Sequence, residues 1–201
     1  MHISEGICSP PVLAAGMVIA AAGVAYGLKK IDTESIPKVG VLSSAFFVAS
    51  LIHIPIGPTS VHMVLNGLMG LLLGWATFPA IMIALLLQGV LFQYGGLTSL
   101  GVNTVNMALP AVICYYLFRG MIRGENIKKI AFAGFACGFI SITLSIAAVA
   151  LTLLLTQKGF LVTVHVVVLA HIPVMIIEGI ITAFVLVFLK KVKPEIIEVG
   201  T

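Results

Sequence analysis

"MHISEGICSPPVLAAGMVIAAAGVAYGLKK", residues 1–30, decides how the rest of the chain is read. Residues 11–28 are an unbroken apolar run closed by a lysine pair, long enough for a bilayer crossing. A secretory leader would carry Lys or Arg ahead of such a run and a small-residue cleavage site after it. Here His2 and Glu5 stand ahead of it, with no basic residue. The stretch therefore reads as a first transmembrane helix, preceded by a short segment, 1–10, that stays with the protein.

Working outward, the same texture recurs. The 201 residues are 60% hydrophobic and only 9% charged, against about 25% charged in ordinary soluble domains. Seven spans follow, near 11–28, 39–54, 61–75, 78–93, 104–119, 130–155 and 171–190. The fold class is all-α and polytopic, one integral membrane domain over 1–201. The second to fourth spans are short for a bilayer of roughly 30 Å, so some end in loops tucked inside the bundle. Pro79 suits the first turn of the fourth helix. Gly159 to Lys190 is too long for one span, and Pro173 is expected to break it, with a short helix or interfacial segment before it.

Charge sets the orientation. Lys29, Lys30 and Lys38 follow span one; Arg119, Arg123, Lys128 and Lys129 follow span five; Lys190, Lys191 and Lys193 follow span seven. Lys158 alone has the other parity, so the positive-inside rule puts the N-terminus outside and the C-terminus in the cytoplasm. His2, His53, His62, His165 and His171 then fall on the outer side, which points to an outward-facing site. The net charge of +4 sits in short loops and is no argument for nucleic acid. Cys8, Cys114 and Cys137 lack the spacing of a disulfide framework or a thiolate metal site. No GxxxxGK[ST] loop is present to cradle a nucleotide's phosphates. Uphill transport would draw its energy from a gradient or from another subunit.

The opening dipeptide has its own chemistry. Met is trimmed when the second residue is small, so before His2 it is expected to stay and leave an α-amine. That amine and the His2 backbone nitrogen close a five-membered ring on a metal; the same backbone nitrogen and His2 Nδ1 close a six-membered one. A deprotonated amide favours planar coordination, which selects Ni(II) or Cu(II) over tetrahedral Zn(II). One further nitrogen would complete the square. An ordinary second-position histidine with no ligand is the alternative.

Two connections carry the remaining polar groups. "HIPIGPTSVHMVLNGLMG", residues 53–70, joins spans two and three through a stiff Pro55, Gly57, Pro58 stretch. Thr59 and Ser60 can cap the helix that follows; His62 is a ligand candidate or a helix-end residue, and His53 fits a structural role. "QYGGLTSLGVNTVN", residues 93–106, joins spans four and five. Its Gly95, Gly96 and Gly101 permit close packing or positive φ. Asn103 and Asn106 can cap a helix or support a ligand. Glu178 lies seven residues from His171 on the same face, as ligand, proton relay, interhelix tie or partner contact. Ala45 and Ala49 on span two, and Gly16, Ala20, Gly23 and Gly27 on span one, form small-residue faces for close helix approach.

Together "MHISEG", "HIPIGPTSVHMVLNG", "GGLTSLGVNTVNMALPA" and "HIPVMIIEG" resemble the nickel/cobalt substrate-binding component of energy-coupling factor transporters, the CbiM/NikM family, over nearly the full length. The resemblance implies a six-helix core plus one extra N-terminal helix whose tip inserts into the core. It implies a metal held by Met1, His2 and His62, with Ser60, Gln93 and Asn103 as supporting residues around it. Ala45 and Ala49 would face a transmembrane coupling subunit, two cytoplasmic ATPases would supply energy, and a small auxiliary membrane protein often accompanies them. "SVHMVLNG" departs from the "SHPTG" of cobalt members and favours the nickel branch. The implied activity is non-enzymatic capture of Ni(II), with Co(II) as the other cargo and no cofactor, in the cell membrane of a bacterium or archaeon. The other class weighed is a self-sufficient secondary transporter with His171 and Glu178 as its proton path. An intramembrane hydrolase is disfavoured by the lack of HExxH and of paired carboxylates.

Overall fold

The computed structural model describes residues 1–51 and 53–198, with backbone only at 53, 158 and 198. Its helices are α1 (Pro10–Leu28), α2 (Ile36–Ala49), α3 (Asn66–Leu73), α4 (Thr77–Phe92), α5 (Leu100–Ile122), α6 (Ile127–Thr156) and α7 (Leu161–Val192), followed by a terminal turn, α8 (Glu195–Glu198). A two-stranded antiparallel hairpin, β1 (His53–Ile56) and β2 (Thr59–His62), stands between α2 and α3. Five apolar stretches are long enough to cross a membrane: Pro10–Leu28, Asn66–Phe92, Leu100–Ile122, Ile127–Thr156 and Leu161–Val192.

The second stretch is folded on itself. Asn66 bonds the Met107 carbonyl, Gly70 abuts Ala111 and Gly74 abuts Tyr115, so α3 runs in the same sense as α5. Ser43 bonds the Ala80 carbonyl and Gln88 bonds that of Phe47, so α4 runs back alongside α2. The reversal occurs at Gly74, whose φ of 54° combined with ψ of −125° lies outside the left-handed helical region that other residues can enter and suits glycine. Pro79 lies in the first turn of α4, where no backbone N–H is missed.

Two expectations are corrected. The third span does not run from 61: residues 59–62 pair with β1, and helix begins only at Asn66. Thr59 and Ser60 are therefore strand residues, and the N-terminus of α3 is closed by Glu178, which accepts from Leu65 N at 2.9 and 3.1 Å and also from Val64 N. Glu178 is thus an interhelix tie, a carboxylate on the orphan N–H groups of a helix start. Nor does Pro173 break the last span. α7 continues through it as one helix, Leu161–Val192; separately, His171 Nδ1 donates to the Val167 carbonyl at 2.7 Å.

Glycine seams bring the helices close. In α1 the buried face is Gly16, Ala20, Gly23 and Gly27, set against Val102, Phe78 and Trp75. Gly134 and Gly138 of α6 meet Ala183 and Glu178 of α7. At one end of the bundle Tyr26, Trp75, Tyr116 and Arg119 gather, with Lys38 bonded to the Ile196 carbonyl. At the other end residues 1–9, the hairpin and the 93–99 loop converge.

Candidate metal site

Residues 1–9 form no helix or strand, yet Met1 and Ile3 are wholly buried and His2 is 3% exposed. Directed hydrogen bonds hold them. Ser4 N donates to Pro58 O at 3.1 Å, and Glu5 N to Gly95 O at 2.9 Å. Asn103 clamps the Ile3 residue: its Oδ1 accepts from Ile3 N at 2.8 Å and its Nδ2 donates to Ile3 O at 3.0 Å. Ser99 Oγ donates to the same carbonyl at 2.9 Å. Glu5 accepts from Thr98, both hydroxyl and N–H. Gly95, at φ 78°, leaves room here: a Cβ would fall 2.9 Å from Asn103 Nδ2 and 3.5 Å from His2 Cβ. The segment is threaded between hairpin and loop like a third strand without a sheet.

That threading delivers the N-terminal amine onto Ser60, whose carbonyl it meets, with Ser60 Oγ at 3.4 Å. The His2 and His62 rings lie 4.5 Å apart, centre to centre. Burial disfavours the charged form of the Met1 amine and holds its pKa well below the usual α-amine value. Burial also holds His62 well below the usual imidazole value, reinforced by the charges of the Met1 amine and His2.

The tautomers follow from the neighbours. Gln88 Nε2 lies 3.2 Å from the Phe47 carbonyl, which can only accept, so the amide group faces Phe47 and Ser50. Gln88 Oε1 then faces His2 Nε2 at 2.8 Å and accepts its proton. The proton on Nε2 makes Nδ1 the basic nitrogen, the one needed for the six-membered chelate ring. In His62 the roles are exchanged: Nδ1 donates to Met63 O at 2.8 Å, and Nε2, buried and without a hydrogen-bond partner among the described residues, carries the lone pair. A backbone carbonyl orienting a ring through its remote N–H is how metal-binding histidines are usually held. No cluster of three His, Cys, Asp or Glu occurs among the described residues, so an ion here must draw on main-chain nitrogen as well.

The residues expected around the site separate. Met1, His2, His62 and Ser60 are brought together. Asn103 supports the site at one remove, by holding Ile3. Gln93 is not brought in: it is exposed, in the left-handed conformation that ends α4. Gln88, which was not singled out, lies on the turn before it; its signal was a lone amide inside an apolar helix. Asn106 instead accepts from Thr152 at 3.2 Å between α5 and α6. His165 is exposed on α7, and the side chain of His53 is outside the described residues.

Residues 2–196 match the family described as the cobalt uptake substrate-specific transmembrane region, CbiM. A putative metal transport protein of Haemophilus influenzae is 44% identical over 198 residues, 98% of this chain and 96% of that one. A putative fused nickel transport protein, NikMN, of Archaeoglobus fulgidus is 31% identical, over 98% of this chain and 68% of its own length. A cobalt transport protein CbiM of Geobacter sulfurreducens is 29% identical, over 98% and 61% respectively. The crystal structure of a transition metal transporter superposes with a TM-score of 0.80 at 28% identity, covering 96% of this chain and 93% of that one. Five apolar helices, this likeness and a match over nearly the whole sequence lead to one conclusion: the chain is a multi-pass membrane protein of the CbiM family.

Proposed function

We propose that this chain is the substrate-capture subunit of an ATP-driven importer of the energy-coupling factor type, taking up Ni(II), or Co(II), from the outer side. The ion is held by four nitrogens: the Met1 amine, the His2 amide, His2 Nδ1 and His62 Nε2. The observation that carries this reading is the pairing of tautomers, with Gln88 and Met63 orienting two rings 4.5 Å apart so that opposite nitrogens are basic. A planar four-nitrogen set suits low-spin Ni(II); the affinity order favours copper, so copper exclusion rests on metal availability or is imperfect. The nickel name of the Archaeoglobus relative and the cobalt name of the Geobacter relative are both consistent with such a site.

Energy comes from two cytoplasmic ATPases through a transmembrane coupling subunit, with a small auxiliary membrane protein alongside. The exposed face of α2 offers a surface for the coupling subunit: Val41 and Val48 are 68% and 61% exposed, with Ala45 between them and Ala49 at its edge. The basic residues at the opposite end from the histidines support an outside N-terminus. The secondary-transporter alternative is weakened because Glu178 is engaged with the start of α3. Purified chain should bind about one Ni(II), with a planar, diamagnetic spectrum. His2→Ala and His62→Ala should abolish that spectrum; its survival in either variant would refute the chelate.

A further inference from the structure

The end of the bundle remote from the metal site holds a cavity of about 250 Å³, built from charged side chains and aromatic rings. It lies at the chain reversal around Gly74, between the end of α1, the α1–α2 connection and the end of α5. Trp75 Nε1 donates to Tyr116 Oη at 2.9 Å, and Tyr26 meets the Trp75 ring edge-on, 4.8 Å between centres. Arg119 lies over two rings at once, its guanidinium carbon 5.2 Å from the centre of Tyr115 and 4.9 Å from that of Tyr116. Lys30 Nζ stands 5.5 Å from the centre of the Tyr26 ring, and Lys38 Nζ donates to the Ile196 carbonyl at 3.0 Å.

Tyr26 and Tyr116 are 45% and 51% exposed. Half-exposed aromatic rings beside lysine and arginine, at the ends of apolar helices, mark the level of lipid headgroups, and the positive-inside rule makes this the cytoplasmic leaflet. Cations held against ring faces are already ordered, which lowers the entropy cost of gathering them around a ligand. The guanidinium is a planar fork of five N–H donors, of which Tyr115 Oη takes one, from Nη1 at 3.5 Å. Such a fork matches two oxygens of a phosphoryl group. Asp32 and Glu34 line the same cavity, and Asp32 is engaged in its own turn, accepting from Ser35 N at 2.8 Å. Three cations against two carboxylates leave one positive charge in excess. A phosphodiester, with a single negative charge, balances that excess; the second charge of inorganic phosphate would face the carboxylates. The volume is below the roughly 300–1,000 Å³ of sites for drug-sized ligands, which suits a headgroup rather than a nucleotide.

We propose that this cavity binds the phosphodiester headgroup of an anionic phospholipid such as phosphatidylglycerol, with Arg119 as the forked donor and Lys30 and Lys38 as flanking charges. Basic pockets between helices on the cytoplasmic side take headgroups of this kind. The bound lipid ties the end of α1 to the Gly74 reversal and to α5, and it acts independently of the metal chelate.

Trp75 is the only tryptophan in the chain, so its emission reports on this cavity directly. The full chain is reconstituted in phosphatidylcholine vesicles in which phosphatidylglycerol is raised in steps. The emission should change and saturate, and native mass spectrometry from neutral detergent should retain about one phosphatidylglycerol per chain. Arg119→Gln and Lys30→Gln, each checked for unchanged helix content, should weaken both signals by about fivefold or more. Arg123→Gln, at an exposed basic residue outside the cavity, should leave both intact. Inorganic phosphate or glycerol 3-phosphate added to phosphatidylcholine vesicles should leave the emission unchanged. An equal lipid response in Arg119→Gln, Lys30→Gln and Arg123→Gln would overturn the site, reducing it to general surface charge. A response to soluble phosphate as strong as that to the lipid would overturn the lipid as ligand. No response to either would refute the proposal and leave the cavity to a protein partner.

Discussion

Residues 1–9 and the helix that follows them are neighbours in sequence and opposites in construction. The first segment has no regular structure; Met1, His2 and Ile3 are buried, and it is held by directed polar bonds to Pro58, Ser60, Gln88, Gly95, Ser99 and Asn103. α1 is a regular helix of which only a thin face is buried, made of Gly16, Ala20, Gly23 and Gly27. Hydrogen bonds fix a chain in position and rotation, atom by atom, because their geometry is narrow. Small-residue packing fixes distance and leaves sliding along the seam cheaper. A ligand set that needs four nitrogens in one plane has to be built the first way, while the helix that anchors it can be built the second.

The contrast can be broken most severely at the amine. One residue added before Met1 should cut Ni(II) affinity by more than about a hundredfold, since a coordinating group is lost rather than a supporting one. Isothermal titration would read this, with helix content unchanged. Next comes the clamp. Asn103→Leu removes both bonds to Ile3 and should cost about 10- to 100-fold in affinity without removing any ligand. Gln88→Leu frees the His2 ring from its tautomer partner and should cost about tenfold, together with a broadened planar absorption band.

A proton count sharpens the comparison further. A free Met-His dipeptide at pH 7 must shed a proton from its amine and one from its amide to bind metal. Here burial lowers the proton affinity of both the Met1 amine and His62, so protons compete with the metal less than they do for a free dipeptide and imidazole. Binding at pH 7 should therefore release fewer protons than the free dipeptide does, the amide proton being the one common to both. Titration in buffers of different ionisation enthalpy would show the difference. The smallest effect on the metal belongs to α1. Gly23→Val drives a side chain into the Phe78 ring and should destabilise the fold by about 1–3 kcal/mol, seen as a lower Tm, while the Ni(II) spectrum of folded protein persists.

Much of this was legible from residue order. The apolar periods, the lysine-rich connections and the family motifs identified a polytopic helical protein, and the chelate rings follow from counting atoms in Met1 and His2. The hairpin was not legible: "HIPI" and "TSVH" look like the ends of apolar spans, and only pairing across Gly57 and Pro58 makes them strands. The same limit hid Gln88, whose role depends on α4 crossing above Phe47 and Ser50. It also misdirected Pro173: its missing N–H forfeits one bond, to the Leu169 carbonyl, and α7 runs on through it, as helices of membrane proteins tolerate.

Sequence alone therefore determined which segments are apolar enough to leave water and which atoms of the opening dipeptide can chelate, since both are local properties of covalent structure. Tertiary structure decided which nitrogen of each ring is basic, what closes the start of α3 and which residues lie beside His62. For His2 and for α3 those choices depend on partners 86 to 114 residues away, while His62 takes its tautomer from the adjacent Met63 once the hairpin has placed it; a hydrogen bond or a bare lone pair exists only once such partners have met.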